Sequence, residues 1–248
     1  MKRAILTGAS SGIGAAIAGE LLMLDYEVYG FGRSFPESPE ENYLSALLPG
    51  VPSDRLANFH AVRFDLTKTG ALAERVREIR KEGRISLLVN NAGVGYFGLH
   101  EELSPAMLHE MVTVNLEVPM LLCRLLLRDL KETGGHIIEL SSVTARKSSP
   151  HGCAYGATKA ALTAFSGSLF DEVRKYGVRV TCIHPDMTKS NFYRSADFGP
   201  EEAADCSLSP EDVAAAVRCV LTARDGLVVS DMTLLPQKHR IARKNQKK

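Results

Sequence analysis

The 248-residue chain lacks most of the devices that would take it out of the class of soluble, compactly folded proteins. Its five cysteines, Cys123, Cys153, Cys182, Cys206 and Cys219, are odd in number and show no C-x-x-C spacing, which argues against a disulfide framework and a zinc site alike. No cluster of metal ligands stands out, so metal catalysis is disfavoured. Long apolar runs are missing. The most apolar stretch, residues 107–127, is broken by Asn115, Glu117, Pro119 and Arg124, and no membrane partner is expected. The opening MKRAILTGAS has too short an apolar run for a secretory leader, so a reducing, cytoplasmic setting is the expectation. An excess of one charge is absent too, with 30 Lys and Arg against 29 Asp and Glu. Six of the cations fall within residues 238–248, leaving the rest net acidic, which argues against nucleic acid as a partner. Those residues read as a basic, solvated C-terminal tail behind a single domain over residues 1–237.

What is present alternates. Short apolar runs at residues 3–7, 27–31, 58–64, 85–89, 135–140, 178–183 and 227–230 predict seven strands. Helical patterns lie between them. Ser104-Pro105 and Ser209-Pro210-Glu211-Asp212 each offer a capping hydroxyl and a first-turn proline. The first of these helices is expected to reach Lys131 with a kink at Pro119, and its apolar residues cover nearly every face. Residues 34–54, with four prolines, read as variable surface holding one helical patch near 42–48. The alternation predicts an α/β fold, a doubly wound parallel seven-stranded sheet with helices on both faces.

Three constellations carry chemistry. Gly8-x-x-x-Gly12-Ile13-Gly14 stands between the first strand and the first helix, where a tight turn brings backbone N–H groups against a pyrophosphate. Ser10 and Ser11 can add a hydroxyl. The acidic residue that would bind a ribose 2′-hydroxyl at the end of the second strand is lacking, and Gly32-Arg33 stands there instead. A guanidinium fork in place of a carboxylate favours NADP(H) over NAD(H). On the predicted helix from about Gly152, Tyr155 and Lys159 stand four residues apart on one face, a phenol beside an ammonium. An ammonium there is expected to lower the tyrosine pKa. Asn115, mid-way along a buried helix, needs partners for its amide.

Thr7-Gly8-x-x-x-Gly12-Ile13-Gly14, Asn90-Asn91-Ala92-Gly93, Ser142 and Tyr155-x-x-x-Lys159, in this order, resemble the motifs of the short-chain dehydrogenase/reductase family, from Arg3 to about Ser230. The resemblance implies a Rossmann fold and a catalytic tetrad of Asn115, Ser142, Tyr155 and Lys159. Ser142 is preferred to Ser141 because the family's serine precedes its tyrosine by thirteen residues. It further implies that Asp65 and Leu66 lie near the adenine and that Asn91, Ala92 and Gly93 border the cofactor. Tyr155 and Lys159 would touch the cofactor as well, and Pro185, Thr188 and Ser190 would line its carboxamide end. Asn115 would position a water that relays protons to Lys159. Asp186 departs from the pattern by replacing a glycine, which is expected to cost positive-φ freedom and bring a carboxylate near the nicotinamide.

The activity implied is NADP(H)-dependent interconversion of a small-molecule carbonyl and its alcohol, by hydride transfer with Tyr155 as general acid/base. A homodimer or homotetramer built on the two long helices is expected. A nucleotide-binding regulator with little turnover, and an epimerase or dehydratase with a retained cofactor, stay open.

Overall fold

The computed structural model describes residues 1–194 and 196–243. Successive residues of β1 (Lys2–Thr7) point to opposite faces of the sheet, and both faces are apolar. Ala4 and Leu6 join one core, Ile5 the other, and all three are fully buried. Burial on both faces is what an all-parallel sheet requires, and it explains why the run RAILT shows no polar alternation.

β2 (Tyr26–Gly32) and β3 (Phe59–Arg63) lie to one side of β1, and β4 (Leu87–Asn90), β5 (His136–Leu140) and β6 (Arg179–Pro185) to the other. A small antiparallel pair joins β7 (Phe198–Pro200) to β9 (Ile241–Arg243), and β8 (Asp231–Leu234) closes the main sheet beside β6. The order is β3-β2-β1-β4-β5-β6-β8, with every neighbour parallel. The direction of winding reverses between β1 and β4, so a crevice opens beyond their carboxyl ends.

On one face α1 (Gly12–Met23) and α8 (Pro210–Leu221) set Ile17, Leu21, Val213 and Val217 over Leu6, Val28 and Ile138. On the other, α4 (Thr69–Lys81), α6 (Val118–Thr133) and α7 (Cys153–Val173) set Val76, Leu122, Leu126 and Leu169 over Ile5, Leu88 and Ile137. The predicted caps form. Ser104 Oγ accepts from Met107 N at the start of α5 (Pro105–Val112), and Ser209 with Asp212 makes a full capping box on α8.

Three expectations need correction. The seventh strand is not residues 227–230 but Asp231–Leu234. The earlier residues approach β6 through the Val229 and Ser230 carbonyls, whereas Asp231–Leu234 pair with Cys182–Pro185 in parallel register. The helix from Ser104 runs on without a break past Lys131, as expected, but not as one regular rod. It passes from α5 through a π turn, Thr113–Glu117, into α6, which ends at Thr133 on the left-handed Gly134. Finally, the segment taken as a solvated tail folds back in part. Lys238 pairs with Asp205 at 2.6 Å and Ile241–Arg243 form β9, while 244–248 lie outside the described residues. The segment 34–54 holds α2 (Glu41–Leu47), as expected, and the start of α3 (Ser53–Leu56).

Candidate active site

The carboxyl end of β1 runs into the glycine turn. Gly8 and Gly12 have φ of 72° and 53°, which side-chain-bearing residues rarely adopt. Gly14 is needed for a different reason. A Cβ there would lie 2.0 Å from the Gly8 carbonyl oxygen and 2.6 Å from Asn91 Nδ2. Thr7 ties this turn to the one after β4. Its hydroxyl accepts from Asn91 N and Ala92 N, both at 3.0 Å, while Asn91 Nδ2 donates to Thr7 O at 2.9 Å. Two chain segments over eighty residues apart are thereby fixed as one cradle beneath the N-terminus of α1. Ile13 and the cap residue Ser11 stand on its rim, and Ser190 closes it from above, 3.3 Å from where a Gly12 Cβ would be.

The groove of about 320 Å³ continues from this cradle in two directions. Toward β2 it meets Arg33, Asp65 and the buried Leu66. Gly32 admits no side chain, since a Cβ would lie 2.7 Å from Ser10 Cβ and 2.8 Å from the Phe35 ring. The Ser10 hydroxyl accepts from Ser34 at 3.0 Å. Burial would raise the Asp65 carboxyl, but hydrogen bonds from Thr67 and the charge of Arg33 hold it below its ordinary value. Arg33 itself is paired with Glu110 at 3.2 Å, and the other oxygen of Glu110 accepts from Tyr96 at 2.5 Å. Local pattern points to neither Glu110 nor Tyr96, because Glu110 lies 77 residues from Arg33 and Tyr96 joins the pair only through Glu110.

In the other direction the groove reaches Tyr155 and Lys159, both on the buried face of α7. Ser142 ends the strand β5 side of the pocket in extended conformation, and its hydroxyl accepts from Thr144 N and Thr144 Oγ1 at 3.2 and 3.0 Å. The Ser141 hydroxyl is hydrogen-bonded to Lys159 O and Thr163 Oγ1 at 3.1 and 2.9 Å. Burial pushes the Tyr155 phenol up to about 12, and a hydrogen bond with Ser142 pulls against that rise. The Lys159 ammonium is also buried and is pushed down to about 8. It donates to Leu140 O at 2.7 Å and lies 5.9 Å from the centre of the Tyr155 ring. The expected lowering of the tyrosine by the lysine is therefore not a property of the chain by itself; desolvation of the phenol prevails.

Asn115 is fully buried in the π turn. Its carboxamide is fully engaged: Oδ1 accepts from Val94 N at 2.8 Å, and Nδ2 donates to Val94 O and Thr158 Oγ1 at 2.8 and 3.1 Å. The side chain braces the loop after Gly93. Its backbone carbonyl lacks the regular helical donor, because the residue four positions on, Pro119, has no N–H. Gly93 packs against this brace, with a Cβ position 3.5 Å from both Asn115 Oδ1 and Lys159 Nζ.

Pro185 ends β6, and Thr188 and Ser190 follow it along the same groove. Thr188 donates to Asp186 O at 3.0 Å, and Ser190 accepts from Phe192 N at 3.3 Å. Asp186 does not strain the backbone as expected. Among the described residues, positive φ outside glycine occurs at Asp25 and His151 and not there. Its side chain is nearly buried, accepting from Met187 N at 2.9 Å and facing Lys147 at 3.7 Å.

One buried acid escaped the sequence reading. Glu139, in the otherwise apolar strand HIIEL, is completely enclosed and accepts from Asn90 Nδ2 at 3.0 Å and Cys123 Sγ at 3.4 Å. Burial raises its carboxyl to about 7 against the pull of those bonds and of Lys159. A lone charge inside an apolar strand was the available signal.

A glycine cradle at a helix N-terminus, joined by one groove to a buried tyrosine–lysine pair, defines a dinucleotide-dependent oxidoreductase of Rossmann type. The sequence model described as short chain dehydrogenase matches residues 2–198, and the chain belongs to that family. An uncharacterised oxidoreductase of Staphylococcus saprophyticus is 29% identical over 95% of this chain and 97% of its own. A farnesol dehydrogenase of Aedes aegypti is likewise 29% identical over 95% of this chain and 96% of its own. The alcohol dehydrogenase of the archaeon Thermococcus sibiricus, solved with 5-hydroxy-NADP, superposes with a TM-score of 0.84 at 29% identity, over 97% of this chain and 99% of that one. The protein is thus an oxidoreductase acting on CH–OH groups with a nicotinamide dinucleotide. None of its described helices is long and apolar enough to cross a membrane, and no group of metal ligands occurs among the described residues.

Proposed function

We propose that the protein interconverts a small-molecule carbonyl and its alcohol with NADP(H) in preference to NAD(H). The observation that carries this reading is the single groove joining Arg33 and the Gly8–Gly14 cradle to Ser142, Tyr155 and Lys159. The cradle suits the pyrophosphate because Gly14 leaves no room for a Cβ and Gly8 and Gly12 turn backbone groups toward the helix axis. Arg33, with no acid at position 32 to repel the phosphate, suits a 2′-phosphate. Asp65 and Leu66 would lie near the adenine, Asn91, Ala92 and Gly93 would border the cofactor, and Pro185, Thr188 and Ser190 would line the carboxamide end. Bound there, the dinucleotide supplies or accepts the hydride.

The chain's own residues handle the oxygen and the proton. The Ser142 hydroxyl, held by Thr144, hydrogen-bonds the substrate oxygen as negative charge builds on it. Tyr155, with its phenol near 12, is protonated at neutral pH and donates that proton to the oxygen in reduction. In oxidation the phenolate takes the alcohol proton back, and the buried Lys159 ammonium stabilises it. Asn115 holds the loop at Val94 in place, and its backbone carbonyl, which Pro119 four residues on cannot serve, is offered to a water through which Lys159 exchanges its proton with solvent. The location we propose is cytoplasmic, consistent with five free cysteines. Val112 and Met120, exposed beside the π turn, suit burial between copies in a dimer or tetramer.

Tyr155→Phe tests the central assignment. NADPH-dependent reduction across a panel of aldehydes and ketones should fall by about 10²–10⁴-fold, while NADPH titration gives an unchanged affinity. Full activity in the variant would remove Tyr155 from the chemistry.

A further inference from the structure

The chain has nine phenylalanines and seven tyrosines, and five of these sixteen rings meet at one place. Phe97 lies 5.6 Å from Tyr155, 6.1 Å from Phe192, 5.9 Å from Tyr193 and 5.1 Å from Phe198, measured between ring centres. Phe192 covers the Tyr155 ring at 5.4 Å, and Tyr193 bridges Phe192 and Phe198 at 5.2 and 5.7 Å. Three separate segments supply them: the loop after β4, helix α7, and the stretch from the turn after β6 into β7.

Ordinary core packing does not account for this cluster. Phe97, Phe192, Tyr193 and Phe198 belong to neither apolar core among the described residues, and each is only half-buried. Half-buried rings keep apolar surface in water, which a bound apolar group would cover. The rings are also held in place. A Cβ on Gly95 would lie 2.7 Å from Phe192 and 2.9 Å from Phe97, and one on Gly152 would lie 3.3 Å from Phe97, so bare backbone forms the back of the wall. The nearby carboxylate of Asp186 is already matched by Lys147.

We propose that Phe97, Phe192, Tyr193 and Phe198 form a subsite for a flat, unsaturated apolar group, aryl or prenyl-like, carried by the substrate next to its reacting carbon. The proposal rests on the hydride-transfer reading, since it is the Tyr155 hydroxyl that places the reacting oxygen beside these rings. Stacking and edge contacts with two or more rings favour a π face over a saturated group of equal size. Substrates bearing a phosphate or carboxylate at this end would lose those contacts and shed hydration against apolar rings.

Binding without turnover tests it directly. The chain has no tryptophan, so the emission of 2-naphthalenemethanol can be followed without that background. With NADPH present no reaction occurs. The naphthyl alcohol should bind at least about tenfold more tightly than its 6-carboxylate, and Phe97→Leu or Phe192→Leu should weaken it about tenfold. Unchanged NADPH affinity in the variants reports that they fold. Equal binding of the two alcohols, or no loss in either variant, overturns the subsite. Naphthyl binding without reduction of 2-naphthaldehyde supports the subsite and sinks the hydride reading. Reduction of glyceraldehyde by a protein that does not bind the naphthyl alcohol does the reverse.

Discussion

Two enclosed carboxylates lie near opposite ends of the sheet and are treated very differently. Asp129, on α6, accepts a bidentate fork from Arg80 at 2.8 and 2.5 Å and a third bond from Ile85 N at 3.3 Å. Glu139, on β5, has both its donors on one oxygen, and the other oxygen has no partner among the described residues. The first joins α4 to α6 through a planar, charge-assisted pair. The second lies at the catalytic end, close enough to Lys159 for each to alter the other's titration. A fully partnered buried charge is scaffolding. An under-partnered one beside a buried ammonium marks the place where a protein keeps protons movable.

That contrast predicts opposite failures. Lys159→Met should cut turnover by about 10²-fold or more, since the phenolate loses its stabilising cation. Stability should stay within about 1 kcal/mol, because a desolvated ammonium is removed along with its single bond to Leu140. Asp129→Ala should do the reverse. Breaking a fully enclosed pair costs about 3–5 kcal/mol; Arg80 keeps a third of its side chain exposed, so about 2–3 kcal/mol is expected. Urea unfolding and NADPH titration measure both. A loss of nucleotide affinity in the folded Asp129 variant, or a collapse in stability for the lysine variant, would erase the distinction.

Which of these parts the sequence disclosed follows from how locally each is encoded. Gly8, Gly12 and Gly14 were legible because a turn before a helix has one short spacing, and Tyr155 with Lys159 because four residues make one helical turn. The parallel sheet with helices on both faces followed from alternation. The last strand was misplaced because LVVS is more apolar than DMTL, yet register is decided by the partner strand, and β6 pairs with the second. The π turn at Asn115, the Arg33–Glu110–Tyr96 chain and the aromatic cluster depend on contacts between distant segments, which spacing cannot carry. Glu139 was visible as a letter but not as a buried group, since strand burial on both faces is a property of the finished sheet.

The effect of Glu139 on stability should be smaller than that of Asp129 and should depend on pH. Its carboxyl rises from 4.5 when unfolded to about 7 when folded. Between those values the folded state holds a proton that the unfolded state has released. The contribution is therefore fully present below pH 4.5 and is lost as pH rises through about 7. Glu139→Gln removes this slope, so the variant should gain on the wild type by on the order of 1–3 kcal/mol between pH 4.5 and 7.5. Lys159, lowered to about 8, gives the opposite slope at higher pH, where stability recovers as the ammonium is lost. Parallel stability curves for the two proteins from pH 4 to 8 would mean that Glu139 is not enclosed as described.

The smallest effects belong to the exposed pair at the far end of the groove, where charge is neither scaffold nor proton store. Arg33 keeps half of its side chain in water, and its bond to Glu110 should contribute less than about 1 kcal/mol to stability. Its value lies in competition. A 2′-phosphate on the cofactor would have to draw Arg33 away from a carboxylate that Tyr96 already holds at 2.5 Å. Glu110→Gln should therefore leave stability within about 0.5 kcal/mol and tighten NADPH by about two- to fivefold, with little change for NADH. Arg33→Ala should weaken NADPH by about tenfold and NADH far less. Both shifts should shrink as salt is raised from 0.05 to 0.5 M, because the Debye length shortens from about 14 Å to about 4 Å and exposed charges are screened. If Glu110→Gln weakens NADPH as Arg33→Ala does, the glutamate orients the arginine instead of competing with the phosphate.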